Sequence, residues 1–273
     1  MKHKNIVIFL FLLTFPSVTT LATAQVGDRL IYKGDTLILF SNPLETFLDN
    51  FPTRPKLFGE KEGCITTACG RGYQAQWEII DNQLYLTAIY SCCYYEDSIK
   101  ADLKSLFENR YVDGKVKADW VTDNLIAPKG KMLYYVHDGY ESLYETEIEF
   151  RIKAGLVVGT EIHDNSNSKQ SVYSQNERLL HQFIYSNIKW DDLPTLNDNI
   201  IRVSIRFSAN ESGIIDSVKV MRGYNDIFDN EAIRVIKSIP EWDIYCRRGK
   251  YKRIIWIMPI IFSEKNKDEY YKK

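Results

Sequence analysis

Apolar and polar residues alternate without exception across residues 201–207, with Ile, Val, Ile and Phe at the odd positions. Successive side chains of a β-strand point to opposite faces, so this period predicts a strand with one buried face. Asn210 and Gly213 follow, and both residue types favour a tight turn. A second strand-like stretch over residues 214–221 completes a predicted β-hairpin.

The period then changes to that of a helix. After Gly223, apolar residues recur at intervals of three and four, which places them on one helical face. These residues are Phe228, Ala232, Val235, Ile236 and Ile239. Asp226 or Asp229 is placed to cap the start of this helix, and Pro240 ends it.

The last apolar run covers residues 254–262 and includes Pro259. Proline has no N–H for a β-ladder, so a strand that contains it belongs at the edge of a sheet. An edge strand leaves backbone groups free to pair with an extended peptide. We therefore predict a peptide-binding edge strand that consists of Ile254, Ile255, Trp256, Ile257, Met258, Pro259, Ile260 and Ile261.

These elements carry an ordered set of residues that recurs in one family. The residues are Phe207, Gly213, Asp216, Val218, Val220, Arg222, Gly223, Asp229, Glu231, Ala232, Pro240, Trp242, Gly249, Lys250, Pro259 and Phe262. With them, residues 174–262 resemble the C-terminal domain of TonB-family energy transducers. The chain departs from the family pattern at residues 193–196, which lack its Tyr-Pro start, and at residues 244–245, where a proline is expected.

The resemblance implies a helix, a hairpin, a second helix and an edge strand. It also implies a partner, which is the plug or N-terminal extension of an outer-membrane transporter, or another protein of the cell envelope. The chain has 8 prolines and no proline-rich stretch, so it lacks the long spacer that an energising TonB protein needs. We interpret the module as a binding domain without the motor end.

Residues 1–24 have the pattern of a signal peptide. Lys2 and Lys4 precede an apolar run at residues 6–15, and Ala22-Thr23-Ala24 is a typical cleavage site before Gln25. A spanning helix needs about 20 apolar residues, about twice this run. The sequence predicts a protein exported to the periplasm of a Gram-negative cell envelope, with no transmembrane helix in its mature form. The alternative is an uncleaved segment that tethers a short transducer.

The mature chain can bury one large core or two small ones. Polar residues 165–173 predict a linker between two halves, and Ser174 with Glu177 forms a predicted capping box. We predict an α+β protein with a mainly antiparallel β domain at residues 25–164. The TonB C-terminal-like α+β domain at residues 174–262 and a polar tail at residues 263–273 follow it.

Strand and turn patterns fill residues 25–164. Two strands are predicted around Lys33-Gly34-Asp35, a hairpin around Asp81-Asn82-Gln83 and a turn at Pro128-Lys129-Gly130. Residues 97–107 are the one predicted helix. Tyr and Trp are dense in this half, and we interpret them mainly as core residues.

Five cysteines lie in a chain predicted to enter an oxidising compartment. Cys64, Cys69, Cys92 and Cys93 are predicted to form disulfides, with Cys246 unpaired. Their spacing is not the Cys-x2-Cys of zinc sites, and a zinc site or reduced structural thiols are the alternatives.

No residue pattern argues for catalysis, and no cofactor or metal is expected. Nucleophile-elbow, zincin, Walker and dinucleotide-binding motifs are absent from the sequence. His137 is a candidate general base near Glu141 or Glu145, although a polar turn residue is the simpler interpretation. Glu145 and Glu147 would lie on the same face of a strand, and exposure of that face to solvent explains the two carboxylates as well as a catalytic role does.

The charge balance argues against nucleic acid as a partner. Cleavage before Gln25 removes Lys2 and Lys4 from 35 basic residues and none of the 36 acidic ones, and no basic stripe remains. The combined interpretation is an exported periplasmic binding protein with a TonB-like peptide-binding module, linked to outer-membrane transport. The alternative is a periplasmic hydrolase with its catalytic site in residues 25–164 and the TonB-like module as a targeting device.

Overall fold

The computed structural model describes residues 23–271. The predicted signal peptide therefore lies outside the described residues, apart from Thr23 and Ala24. The described chain is a mixed α+β protein in which strands outweigh helices. None of its helices is long and apolar enough to cross a membrane.

The first half of the described chain is dominated by strands, with three short helices. The strands are β1 (Asp28–Tyr32), β2 (Asp35–Leu39), β3 (Tyr73–Ile80), β4 (Gln83–Ser91), β5 (Tyr111–Val112), β6 (Lys115–Lys117), β7 (Asp123–Tyr134), β8 (Leu143–Lys153) and β9 (Leu156–Asp164). The helices are α1 (Glu45–Leu48), α2 (Tyr94–Asp97) and α3 (Leu103–Phe107).

One sheet holds these strands in the order β2-β1-β3-β4-β9-β8-β7, with β5 and β6 beside β4. All its pairings are antiparallel except that of β1 with β3. The sheet curves until its ends meet, since the Phe40 N–H beyond β2 donates to the Ile126 carbonyl of β7 at 2.7 Å. The enclosed face holds a core that includes Trp77 and Phe150.

Two sequence predictions in this half are wrong. Residues 97–107 do not form one helix, because residues 98–102 run beside β4, where the Ala101 N–H donates to the Ile89 carbonyl. Asp102 then caps the separate helix α3. The predicted turn at residues 128–130 lies inside β7, whose register against β8 shifts at that point.

The second half alternates helices and strands. It contains α4 (Val172–Gln175), α5 (Glu177–Asn187), β10 (Ile201–Ala209), β11 (Ile215–Arg222), α6 (Asp226–Lys237), β12 (Cys246–Arg247), β13 (Lys250–Tyr251), β14 (Trp256–Phe262) and α7 (Glu264–Tyr270). A three-stranded antiparallel sheet has the order β11-β10-β14. The apolar face of α6 packs on it through Phe228, Ala232 and Val235, which are buried as the helical period predicts.

The hairpin turn is confirmed in detail. Gly213 has a φ of +77°, and the Asn210 side chain accepts hydrogen bonds from the backbone of Ser212 and Ile214. Gly223 is also required after β11, since a Cβ there would lie 2.0 Å from an Asp229 oxygen. That carboxylate accepts the Tyr224 N–H.

The helix starts differ from the predicted ones. Asn225, not Asp226 or Asp229, caps α6, and Asn176 caps α5 in place of the capping box at Ser174. Ser174 instead donates its hydroxyl hydrogen to Asp243. The predicted polar tail begins with α7, a helix of seven residues.

The buried apolar side chains form two clusters within residues 23–271, one in each half of the chain. Between them, several polar residues of the predicted linker are buried. Asn165 donates its N–H to the Glu145 carbonyl, and Ser168 donates to the Cys246 carbonyl at 2.7 Å. The polar residues of this segment therefore form hydrogen bonds to both halves of the chain. A sequence pattern alone does not distinguish such buried polar residues from residues exposed to water.

Two disulfides join a loop to the end of β4, as the sequence predicts. Cys64 is bonded to Cys93 and Cys69 to Cys92, with Cα atoms 5.5 Å and 6.1 Å apart. Cys246 is free and buried.

The wall of the N-terminal core contains a buried carboxylate. Asp28 accepts hydrogen bonds from the Trp77 indole at 2.9 Å, the Arg71 guanidinium at 3.0 Å and the Ala75 N–H at 3.0 Å. Burial raises the pKa of Asp28 to about 6, against the opposing effects of Arg71 and the other donors. One carboxylate thus ties β1 to β3 and to the loop that holds the disulfides.

The disulfide pairing is testable on the protein purified without reductant. We expect peptide mass spectrometry without reduction to recover Cys64 with Cys93 and Cys69 with Cys92, and alkylation to reach Cys246 only after unfolding. Replacing Cys69 and Cys92 by serine should lower the free energy of unfolding by about 3 kcal/mol in the chain-entropy description. Four free thiols with stoichiometric zinc would contradict the pairing.

Asp28 predicts a pH dependence of stability. Its folded pKa of about 6 lies above the ordinary value of 3.8, so the folded chain holds this proton more strongly than the unfolded chain. The stabilisation is full below about pH 4 and is lost as the pH rises through about 6. Between about pH 4 and pH 6 and above, the free energy of unfolding of the wild type should fall by about 3 kcal/mol relative to that of an Asp28→Asn variant. Denaturant unfolding of both proteins measures it, and parallel pH profiles would refute the assignment.

Candidate functional site

The predicted recognition strand lies at one edge of the C-terminal sheet. β14 pairs antiparallel with β10, and no other strand of the described residues pairs with it. Ile254 and Ile255 precede β14, and the other predicted residues, 256–261, lie within it. The position of Pro259 at an edge is the one that its missing N–H requires.

The direction of the backbone groups follows from one hydrogen bond. The Asn266 side chain of α7 donates to the Ile261 carbonyl at 2.8 Å, so this carbonyl points away from β10. Residues two apart in a strand direct their backbone groups to the same side. Ile257 and Pro259 therefore also face outward, and Pro259 offers only its carbonyl there.

The outward edge is consequently short. At Ile261 the carbonyl is already occupied by Asn266. Pro259 has no N–H to donate. Among the outward-facing residues of β14, Ile257 is therefore the one with both a free N–H and a free carbonyl. An extended ligand that pairs with this edge must therefore centre on Ile257 and continue toward Ile255.

The side chains of β14 divide between two faces. Ile260 is fully buried, and Trp256 and Met258 pack against the core. On the opposite face, the Ile257 side chain is 66% exposed and Pro259 is also exposed. The Ile257 side chain can thus be replaced with little effect on the core, while its backbone remains available.

Two contacts hold the chain that enters β14. The Tyr251 hydroxyl donates to the Ala209 carbonyl at the end of β10, and the Arg253 guanidinium pairs with Asp216 of β11. The second contact lowers the pKa of Asp216, because the Arg253 hydrogen bond favours the carboxylate. The segment before β14 is therefore fixed to β10 and to β11, the next strand of the sheet.

A second polar site lies where the two halves meet. Glu147 on β8 is fully buried and accepts hydrogen bonds from Arg247 at 2.9 Å and Arg248 at 2.9 Å. Arg247 also contacts Glu141 at 3.0 Å. Burial acts to lower the pKa of Arg247, but the hydrogen bonds to Glu147 outweigh it, so this pKa is raised. The assignment of Glu147 to a solvated face is wrong.

Beside this junction is a cleft of about 700 Å³. His163 of β9 lies in it, with its Nε2 3.0 Å from Glu149 and its Nδ1 3.8 Å from Glu161. The three side chains meet because Glu149 is paired with Glu161 in the register of β8 and β9. The His163 side chain is mostly buried, and its ring faces carboxylates on both sides.

His137 has a different environment from the one considered in the sequence. Its Nδ1 lies 2.8 Å from the Tyr135 hydroxyl, in an exposed contact. Glu145 accepts the Lys131 N–H, and Glu141 pairs with Arg247. In the described structure neither carboxylate is bonded to His137, which fits the polar turn interpretation.

Sequence reasoning missed both the junction and the His163 cluster. Glu147 and Arg247 are separated by 100 residues, so no local pattern joins them. The available signal was the acidic alternation of β8, which places Glu147 and Glu149 on one face, together with the Arg247-Arg248 doublet. The acidic residues of β8 and the two arginines can be recognised as partners only when the contact between the two halves of the chain is known.

Within residues 23–271, no group of three or more His, Cys, Asp or Glu side chains is arranged to hold a metal ion. Comparisons of the chain with protein-family models, with curated proteins and with solved structures find no match.

Proposed function

We propose that the chain is an exported, periplasmic binding protein whose C-terminal unit captures an extended peptide at β14. The observation that carries this proposal is the unpaired outer side of β14 within the described residues, with the backbone groups of Ile257 directed outward. Backbone pairing supplies affinity in such β-augmentation, and alternate side chains supply specificity.

The order of elements supports the proposal. A hairpin, an amphipathic helix and a final edge strand follow one another, as the resemblance to TonB C-terminal domains implies. The peptide partner is the plug or N-terminal extension of an outer-membrane transporter, or another envelope protein. Its role in transport is passive, because the chain has no proline-rich spacer through which to transmit force.

The junction gives the N-terminal unit a part in this function. Glu147 with Arg247 and Arg248 is a buried, charge-paired connection just before β14 in the chain. Breaking such a connection leaves an uncompensated buried charge, which is strongly unfavourable. The N-terminal unit therefore presents the edge in a fixed orientation.

The backbone requirement is tested by two substitutions at one position. Ile257→Pro removes the outward N–H and should abolish peptide binding, because the edge has no equivalent donor at residue 259. Ile257→Thr changes the side chain but keeps the N–H, so it should retain binding. The measurement is titration of the chain from Gln25 onward with N-terminal peptides of outer-membrane transporters, followed by backbone amide shifts.

Both variants should keep the native fold, since the Ile257 side chain is exposed and its N–H points away from β10. Thermal unfolding and the amide signals of the turn at Gly213 verify this. If the largest peptide-induced shifts map to α6 or to the N-terminal sheet, or if both variants bind equally, the edge is not the binding site.

A hydrolase is the second candidate, and the His163 cluster is the observation that favours it. A histidine held by Glu149 at 3.0 Å in a cleft has the arrangement of a general base with an orienting carboxylate. If this function is correct, His163→Ala should lower hydrolysis of envelope peptides or glycans by about 100-fold or more. Peptide binding at β14 should be unchanged. Equal rates of hydrolysis by the wild type and the His163→Ala variant would reject the hydrolase function.

A further inference from the structure

The outer face of the C-terminal sheet carries an unbalanced positive charge. Because Ile201 and Val203 point into the core, the intervening side chains of β10 form the opposite face, with Arg202 and Arg206 exposed. Lys219 is directly opposite Arg206 on β11 and shares this face. The same face of β14 consists of Ile257, Pro259 and Ile261.

These cations have no carboxylate partners within residues 23–271. Arg202, Arg206, Lys219 and Arg222, at the end of β11, take part in none of the ion pairs there. The full chain has a net charge of −1, so the excess is local to this face. Surfaces with one sign of charge attract ligands of the opposite sign.

The arginines lie next to the recognition edge. Arg206 is opposite Ile257 and Arg202 is opposite Ile261 in the β10–β14 register. A strand added to β14 would run about 9.6 Å from β10, two strand spacings away. Extended arginine and glutamate side chains together can cross this distance above the uncharged side chains of β14.

On the basis of the proposed function, we infer that the peptide captured at β14 carries acidic side chains at alternate positions. Alternate side chains of an added strand fall on one face. An acidic side chain opposite Ile257 lies in the row of Arg206 and Lys219, and one opposite Pro259 lies between the rows of Arg206 and Arg202. The ligand class is therefore an extended acidic peptide, recognised by backbone pairing at Ile257 and by charge across β14.

The test compares two peptides, Thr-Glu-Val-Glu-Val-Glu-Thr and the same sequence with Gln in place of Glu, on the chain from Gln25 onward. The acidic peptide should bind about tenfold more tightly, and raising the salt concentration from about 50 to about 300 mM should reduce the difference. The double variant Arg202→Gln/Arg206→Gln should bind both peptides with the affinity of the neutral one. The double variant Arg178→Gln/Lys237→Gln removes two exposed cations of α5 and α6 and should bind like the wild type.

The outcomes separate this inference from the proposed function. Equal affinity for the two peptides, with binding still lost in Ile257→Pro, overturns the acidic specificity and leaves the edge in place. Acidic binding that survives Ile257→Pro but not Arg202→Gln/Arg206→Gln overturns the edge and leaves charge recognition by the face. Absence of any binding overturns both.

Discussion

The antiparallel register between β10 and β14 sets the layout of the whole C-terminal unit. It places the buried side chains of the two strands together in the core beneath α6, with Val203 opposite Ile260. The same register turns Arg202 and Arg206 to the outer face and directs the backbone groups of Ile257 to the second side of β14, which is unpaired within the described residues. A shift of one residue would exchange the two faces, burying the arginines and exposing the core. The register therefore fixes the core, the charged face and the edge at once.

Pro259 and Asn266 limit pairing along the same strand. A long, apolar edge strand invites pairing between copies of a protein, and natural proteins shorten or block such edges. Here a missing donor and an occupied carbonyl restrict pairing to the part of the strand around Ile257. This restriction limits pairing between two copies of the strand, whereas the proposed peptide needs only the part of the strand around Ile257.

The two halves are joined by polar groups rather than by a shared apolar core. Asn165 and Ser168 form hydrogen bonds with backbone groups across the junction, and Glu147 neutralises Arg247 and Arg248. Directional, desolvated bonds of this kind fix orientation more strictly than apolar contact does. Sequence polarity alone predicts a solvated linker at this place, because the pattern records that residues are polar and not which partners they meet.

Local sequence patterns were enough to define the hairpin of β10 and β11, the helix α6, the hairpin of β3 and β4, and the position of Pro259 at an edge. The sequence also indicated which four cysteines form disulfides. Contacts between separate segments decided the rest, including the break between α2 and α3, where pairing with β4 replaced helical bonds. They alone brought His163 to Glu149 and aligned Arg206 with Ile257. Periodicity depends on neighbours along the chain, whereas junctions and charged faces depend on residues far apart in sequence.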